Sequence, residues 1–261
     1  MGFKNIILEK KNAIAKITLN RPDVLNSIDK DTHLELQEAL ADIEKDESVR
    51  VVIITGAGKT FCTGADLKFG ATIRDDQQKV IEFLGLWHKT TNAIASLSKP
   101  VIAAVNGVAL AGGLEIVEAC DIAIASEQIR LGDQHANYGL VPGGGGSQRL
   151  PRIIGIRKAM ELILTGDWLS AKEAEALGLL NKVVPADKLE ETVNELAKKL
   201  AERSPLASKT IKNLINKGMQ MDLASALDLE LKSVAPLFAA EDLIEGLNAF
   251  NEKRKPVFKG K

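Results

Sequence analysis

The chain has 261 residues and a net charge of −1; 45% of its residues are hydrophobic, 26% charged and only 4% aromatic. That length suits one large domain, or one domain with an appendage. The charge balance, with no long basic or acidic block, argues against a nucleic-acid or anionic-membrane surface. Two cysteines, Cys62 and Cys120, are too few for a disulfide framework and suit a reducing compartment. The opening MGFKNIILEKKN lacks the apolar core of a signal peptide, and no apolar run reaches bilayer length. A soluble cytoplasmic protein is expected.

In chain order, Lys4–Lys10 and Ala13–Leu19 alternate and read as two strands around a Lys11-Asn12 turn. Asp29–Asp46 places Leu34, Leu36, Leu40 and Ile43 at helical spacing, with Asp29 or Asp31 as cap. Val51–Thr55 is an apolar run of the kind buried in parallel sheets, and Gly56–Thr63 reads as a loop. Asp75–Leu97 is a long amphipathic helix through Ile81, Leu84, Trp87, Thr91, Ile94 and Leu97.

Pro100–Ser126 is the stretch around which the rest is organised. Val101–Asn106 fits a buried strand, Gly107–Gly113 a turn of small residues, Leu114–Cys120 a short helix and Asp121–Ala125 a returning strand. Such a turn leaves backbone N–H groups bare at a helix N-terminus, where they and the helix dipole stabilise a negative oxygen. Glu115 stands just inside the helix, and an oxyanion site beside a carboxylate is what enolate chemistry needs. Small-residue turns also serve close packing alone. Thr63-Gly64-Ala65-Asp66 is a second passage of the same kind after Val51–Thr55. Adjacent parallel strands would bring the two turns together, so that one N–H from each grips one oxygen. Neither a phosphate-binding loop nor a GxGxxG fingerprint follows a strand, so nucleotide-dependent transfer and hydride transfer lack their usual parts.

Arg130–Leu150 reads as a loop in which Gly143–Gly146 offers no side chains and at least one positive φ. Ser147–Thr165 is helical, Ser170–Glu173 fits a capping box, Gly178 stops that helix, and Lys182–Val184 is a last strand. Beyond Asp187 only helices remain: Asp187–Arg203, Pro205–Lys217, Asp222–Leu237 and Ala239–Lys255. Two regions are expected, an α/β core over residues 1–195 and a helical region over 196–261.

Asn20-Arg21-Pro22, FCTGADLK (Phe61–Lys68), KPVIAAVNGVALAGGLE (Lys99–Glu115), ACDIAIA (Ala119–Ala125), PGGGGSQRLPR (Pro142–Arg152) and AFNEKRKPVF (Ala249–Phe258) stand in an order and spacing that resemble the crotonase, or enoyl-CoA hydratase/isomerase, superfamily across nearly the whole chain. The resemblance implies a spiral of ββα repeats with a C-terminal helical trimerisation region, assembled as a homotrimer or a dimer of trimers. It implies an acyl-CoA thioester as substrate, with no separate cofactor, metal, nucleic acid or membrane partner. The oxyanion hole would be the backbone N–H groups of Ala65 and Gly112, with Asp66 alongside. Lys68 matches a position that meets CoA phosphate or ribose, and Phe250 and Lys253 match C-terminal residues that reach a neighbouring subunit's CoA.

The catalytic pair departs from the family. Typical hydratases use two glutamates; Glu115 is kept, but the second position lands on His135. Histidine serves as acid or base near neutral pH, while adjacent Asp133 and Gln134 offer displaced polar groups. Glu118 stands where the family usually has an apolar or small residue, either as a second active-site carboxylate or at a subunit interface. His88 lies near a histidine used by dehalogenase relatives, but their nucleophilic Asp falls on Gly143, which excludes that chemistry and leaves His88 structural. Hydration of an α,β-unsaturated acyl-CoA is the expected activity. Double-bond isomerisation, C–C cleavage and thioester hydrolysis are the alternatives within the family, and a non-catalytic acyl-CoA- or RNA-binding protein the alternative outside it.

Overall fold

The structure is a computed structural model that describes residues 2–261, so Met1 of the expected 1–195 core lies outside the described residues. β1 (Ile6–Lys11) and β2 (Ile14–Leu19) form an antiparallel hairpin. Its turn residues are Asn12 and Ala13, both at positive φ, one place beyond the expected pair. Helix α1 (Lys30–Lys45) follows, with Asp29 as the cap accepting from the Thr32 N–H. Its buried stripe runs through His33, Leu36, Leu40 and Ile43, while Leu34 lies outside it and is exposed.

Three ββα units then repeat. The first is β3 (Val51–Gly56), β4 (Thr60–Cys62), α2 (Leu67–Ile73) and α3 (Gln77–Ser96); the second is β5 (Val101–Val105), β6 (Val108–Leu110) and α4 (Gly112–Ala119); the third is β7 (Ile122–Ser126), β8 (Arg130–Gly132) and α5 (Gly146–Ile154). The expected loop at Gly56–Thr63, turn at Gly107–Gly113 and loop from Arg130 therefore each contain a three-residue strand. These strands are too short for alternation to show in sequence. Helix α6 (Ile156–Thr165), β9 (Leu169–Ser170), α7 (Ala171–Ala176), β10 (Lys182–Val184), α8 (Leu189–Ala201), α9 (Pro205–Gly218), α10 (Leu223–Val234) and α11 (Glu241–Asn251) complete the chain. The expected single helix Ser147–Thr165 is two, broken at Gly155, whose φ is 85°. The capping box at Ser170 forms in full with Glu173.

The long strands build a six-stranded sheet in the order β1-β2-β3-β5-β7-β10, parallel except for the first hairpin. The short ones build a second sheet, β4-β6-β8-β9, in which β4, β6 and β8 are parallel. Each unit thus contributes one strand to each sheet, which is the spiral that the resemblance implies. Both faces of the large sheet are buried, as parallel sheets require. Val52, Ile54, Val101, Ala103 and Val105 face the main core with α1, α3 and α4. Val51, Ile53, Ile102 and Ile124 face Val193 and Ala197 of α8. The expected division at 195/196 falls inside α8, between those two residues. The helices beyond it are mostly exposed on apolar positions, including Ile211, Ile215, Leu223, Leu227 and Leu231. Among the described residues no helix is long and apolar enough to cross a membrane.

Candidate active site

The site lies where the small sheet hands over to its helices. Because β4 and β6 are parallel neighbours, the passage after Cys62 and the passage after Leu110 lie against each other. A Cβ on Gly64, whose φ is 90°, would lie 2.8 Å from the Gly112 nitrogen. Ala111 between them is held at φ 48°, ψ −121°, a conformation an L-residue rarely adopts; its N–H donates to the Gly132 carbonyl at 2.9 Å and its carbonyl accepts from the Glu115 N–H at 3.0 Å. Ala65 bridges Ile28 through its neighbours, with Ile28 donating to the Gly64 carbonyl and Asp66 donating to the Ile28 carbonyl. Among the described residues, the N–H groups of Ala65 and Gly112 have no acceptor in the chain. Two donors without an acceptor thus follow two adjacent strands, one of them at the start of α4, an arrangement that is free to hold a negative oxygen.

Asp66 is the cap of α2, accepting from the Lys68 and Phe69 N–H groups at 3.0 and 3.2 Å, and it pairs with Arg21 at 3.0 Å. Burial works to raise its pKa, but these donors and the Arg21 charge outweigh it and hold the carboxyl below its usual range. Arg21 of the Asn20-Arg21-Pro22 motif thus clamps the first oxyanion passage. The Lys68 side chain extends from the first turn of α2 into solvent.

Glu115 is buried on the first turn of α4, and its Oε1 accepts from the N–H groups of Gly144 and Gly146, both at 2.7 Å. The glycine run is therefore a cradle for this carboxylate. A Cβ on Gly144 would lie 2.5 Å from Glu115 Oε2, and a Cβ on Gly146 would lie 3.1 Å from Oε1. Gly145, at φ 116°, turns the chain between the two donors. The Gly144 carbonyl is braced by Thr91 Oγ1 at 2.9 Å and Arg149 Nη1 at 2.8 Å. Trp87 packs its indole on the Cα atoms of Gly112 and Gly144, so one aromatic ring supports both the oxyanion turn and the cradle.

His135 opens a short 3-10 turn (His135–Tyr138) after β8. Its ring Nδ1 lies 2.9 Å from Oδ1 of Asp133, which is 1% exposed. Burial pushes the imidazole pKa down, but the Asp133 hydrogen bond and charge and the Glu115 charge more than reverse that, leaving it above the ordinary value. Gln134 turns away, its Nε2 donating to the Gly166 carbonyl and its Oε1 accepting from Asn137.

Glu118, one turn after Glu115, is 7% exposed, and both its carboxyl oxygens are buried without a hydrogen-bond partner. Burial, then the charges of Glu115 and Asp133, push its pKa well above the usual carboxyl range against the opposing charge of Arg149. The Glu115 charge thus acts on both Glu118 and His135, while Ala65 and Gly112 belong to the two passages that lie against each other. Phe250, 81% exposed, lies at the end of α11, and Lys253 lies in the turn just beyond it at φ 55°. His88 is exposed on α3 and supports no core, contrary to the structural role expected for it. The residues sequence reasoning missed are the N–H pair of Gly144 and Gly146, the Trp87 ring and Arg149. The only signal for them was the glycine run itself. Among the described residues no cluster of His, Cys, Asp and Glu is arranged to hold a metal.

The two-sheet spiral is of the crotonase type, and the chain belongs to the enoyl-CoA hydratase/isomerase family, whose model matches residues 9–261. It is 42% identical over 256 residues to the short-chain-enoyl-CoA hydratase of Clostridium acetobutylicum, covering 98% of this chain and 97% of that one. It is 40% identical over 259 residues to the crotonyl-CoA hydratase of Syntrophomonas wolfei, covering 99% of each. A crystal structure of an enoyl-CoA hydratase from Bacillus anthracis superposes with a TM-score of 0.96 at 42% identity, covering 99% of this chain and 100% of that one.

Proposed function

We propose that the protein hydrates a short-chain 2-enoyl-CoA, reversibly, to the 3-hydroxyacyl-CoA. The thioester carbonyl would sit on the N–H groups of Ala65 and Gly112. Glu115 takes a proton from water as the water oxygen bonds C3. The electron pair of the C2–C3 double bond moves to the thioester oxygen, and the enolate forms in the oxyanion cradle. C2 then takes a proton from His135. Glu115 gains one proton, His135 loses one, and exchange with solvent resets both. The observation that carries this reading is the Glu115 carboxylate, fixed by two glycine N–H groups beside a bare oxyanion pair. Lys68 would meet the CoA phosphates or ribose, and Phe250 and Lys253 would reach the CoA of a neighbouring subunit in a trimer built through α9–α11. The chemistry calls for no added cofactor, and the expected location is the cytoplasm.

The test is incubation with a panel of 2-enoyl-, dienoyl- and 3-hydroxyacyl-CoAs, with products read by mass. Gain or loss of one water is the expected result. A product of unchanged mass and altered absorbance would assign isomerisation, release of free CoA would assign hydrolysis, and an inert panel would leave a binding protein.

A further inference from the structure

We propose that Asp133 is a positioning residue that makes His135 work as a proton donor, so that an Asp–His dyad takes the place of the family's second glutamate. This rests on the hydration reading above. An imidazole can occupy the slot of a carboxylic acid only if it carries a transferable proton on the right nitrogen, and burial alone works against that. Asp133 answers both requirements. Its Oδ1 accepts from the His135 backbone N–H at 3.3 Å and lies 2.9 Å from the ring Nδ1. As an acceptor-only carboxylate it fixes Nδ1 as a protonated donor, leaving Nε2 as the atom that exchanges protons with substrate. The side chain of His135 is 13% exposed and that of Asp133 1%, so the pair is open at the ring and closed at the carboxylate.

The turn that presents the pair is rigid. Gln134 sits at φ 60° between the two residues, its side chain tied to Gly166 and Asn137. Gly132 ahead of it carries the Ala111 N–H, so the dyad and the oxyanion turn share one backbone bond. The charged groups around the imidazole are also accounted for. Asp133 and, from α4, Glu115 favour its protonated form. Glu118, without any donor to its oxygens, has its pKa pushed well above the usual carboxyl range by burial and by the charges of Glu115 and Asp133, against the opposing charge of Arg149 from α5. Helix α6, which packs on the same turn, carries Arg157, Lys158 and Glu161, the last two paired at 3.0 Å. In the step itself the Nε2–H bond breaks as the C2–H bond forms, and the electron pair left on Nε2 makes the imidazole neutral with Nδ1–H still on Asp133.

The experiment is a histidine-labelled NMR titration together with pH–rate profiles for the parent, Asp133→Asn, His135→Gln and the double variant. In the parent, neutral His135 should be the Nδ1–H tautomer. Asp133→Asn should lower the His135 midpoint and carry the alkaline limb of kcat down in pH with it. It should cost kcat ~10²–10⁴-fold, the range of a positioned acid–base group, with KM within a few-fold. In the His135→Gln background it should cost little more. Asp133→Glu, which restores the charge, should recover part of the midpoint shift. An Nε2–H tautomer in the parent, an unmoved midpoint in Asp133→Asn, or an equal loss with and without His135 would overturn the dyad. Should Asp133→Asn fail to fold, the parent tautomer and Asp133→Glu decide. If the parent hydrates no enoyl-CoA, the hydration reading fails, while tautomer and midpoint still decide the dyad.

Discussion

The Glu115 carboxylate and the Gly144 backbone are in contact on both oxygens: the N–H donates to Oε1 at 2.7 Å, and a Cβ at the same residue would stand 2.5 Å from Oε2. Gly144 is thus required for what it lacks as much as for what it donates. Gly144→Ala would push Glu115 or Trp87 aside, since the same Cβ also lies 3.1 Å from Trp87 Cε3. A misplacement of about 1 Å at such a group costs on the order of 10²-fold in rate. Steady-state kinetics should show a loss of that order in kcat with folding intact by circular dichroism. Parent-like kcat would mean that the cradle does not set the base.

Gly112→Ala tests the oxyanion turn. The added methyl collides with the Trp87 indole, and overpacking of this kind costs about 1–3 kcal/mol. The turn that carries the N–H must shift to relieve it, and loss of one oxyanion donor costs ~10²–10³-fold in kcat. A lowered urea midpoint accompanied by such a rate loss is expected. A stability loss with an unchanged rate would remove Gly112 from the oxyanion site.

Glu118 gives a pH prediction in stability. Its folded pKa is raised above the unfolded value, so the folded state binds more protons at intermediate pH. The associated stability is fully present below the unfolded carboxyl pKa and is lost as pH rises toward the raised folded one. Glu118→Gln keeps the shape and removes the ionisation. Urea midpoints measured from acid to alkaline pH should fall less steeply with rising pH in Glu118→Gln than in the parent. Parallel curves would show that Glu118 is ionised or solvated.

Apolar side chains on the C-terminal helices, among them Ile211, Ile215, Leu223, Leu227 and Leu231, are exposed on the single chain, and burying them between subunits would stabilise an oligomer. Light scattering should report a trimer or a dimer of trimers, and Leu227→Glu with Leu231→Glu should shift it toward smaller species. A stable parent monomer would remove the cross-subunit role proposed for Phe250 and Lys253.

Much of this was legible in the sequence. The long strands and capped helices declared themselves through apolar runs and cap residues, and the two turn-to-helix passages were readable from the small residues around Gly64, Gly112 and Gly113, which also let the passages pack closely. The three-residue strands β4, β6 and β8 were not, since their partners are set by tertiary pairing. The first half of α3 misled as well: Ile81 and Leu84 are exposed, and Phe83 faces the core with Trp87. Apolar residues at helical spacing do not say which of two adjacent stripes a neighbour covers. His33 shows the same limit, a histidine completing the core stripe of α1, its pKa pushed down to about 3 by burial. Glu115 and His135 stood out in the sequence as candidates, but the groups that hold them did not. The glycine run gave no sign that its N–H groups hold Glu115, because backbone donors leave no residue-type signature.

If Glu115 and His135 share the proton transfers of hydration, the pH–rate profile of His135→Gln beside the parent on a short straight-chain 2-enoyl-CoA must show it. With His135 as the proposed acid and its pKa raised, the parent rate should hold above the ordinary imidazole midpoint of about 6.5 before falling on the alkaline side. His135→Gln should lose ~10²–10⁴-fold in kcat/KM and lose that alkaline limb. A variant with parent-like rate and an unchanged profile would contradict the account.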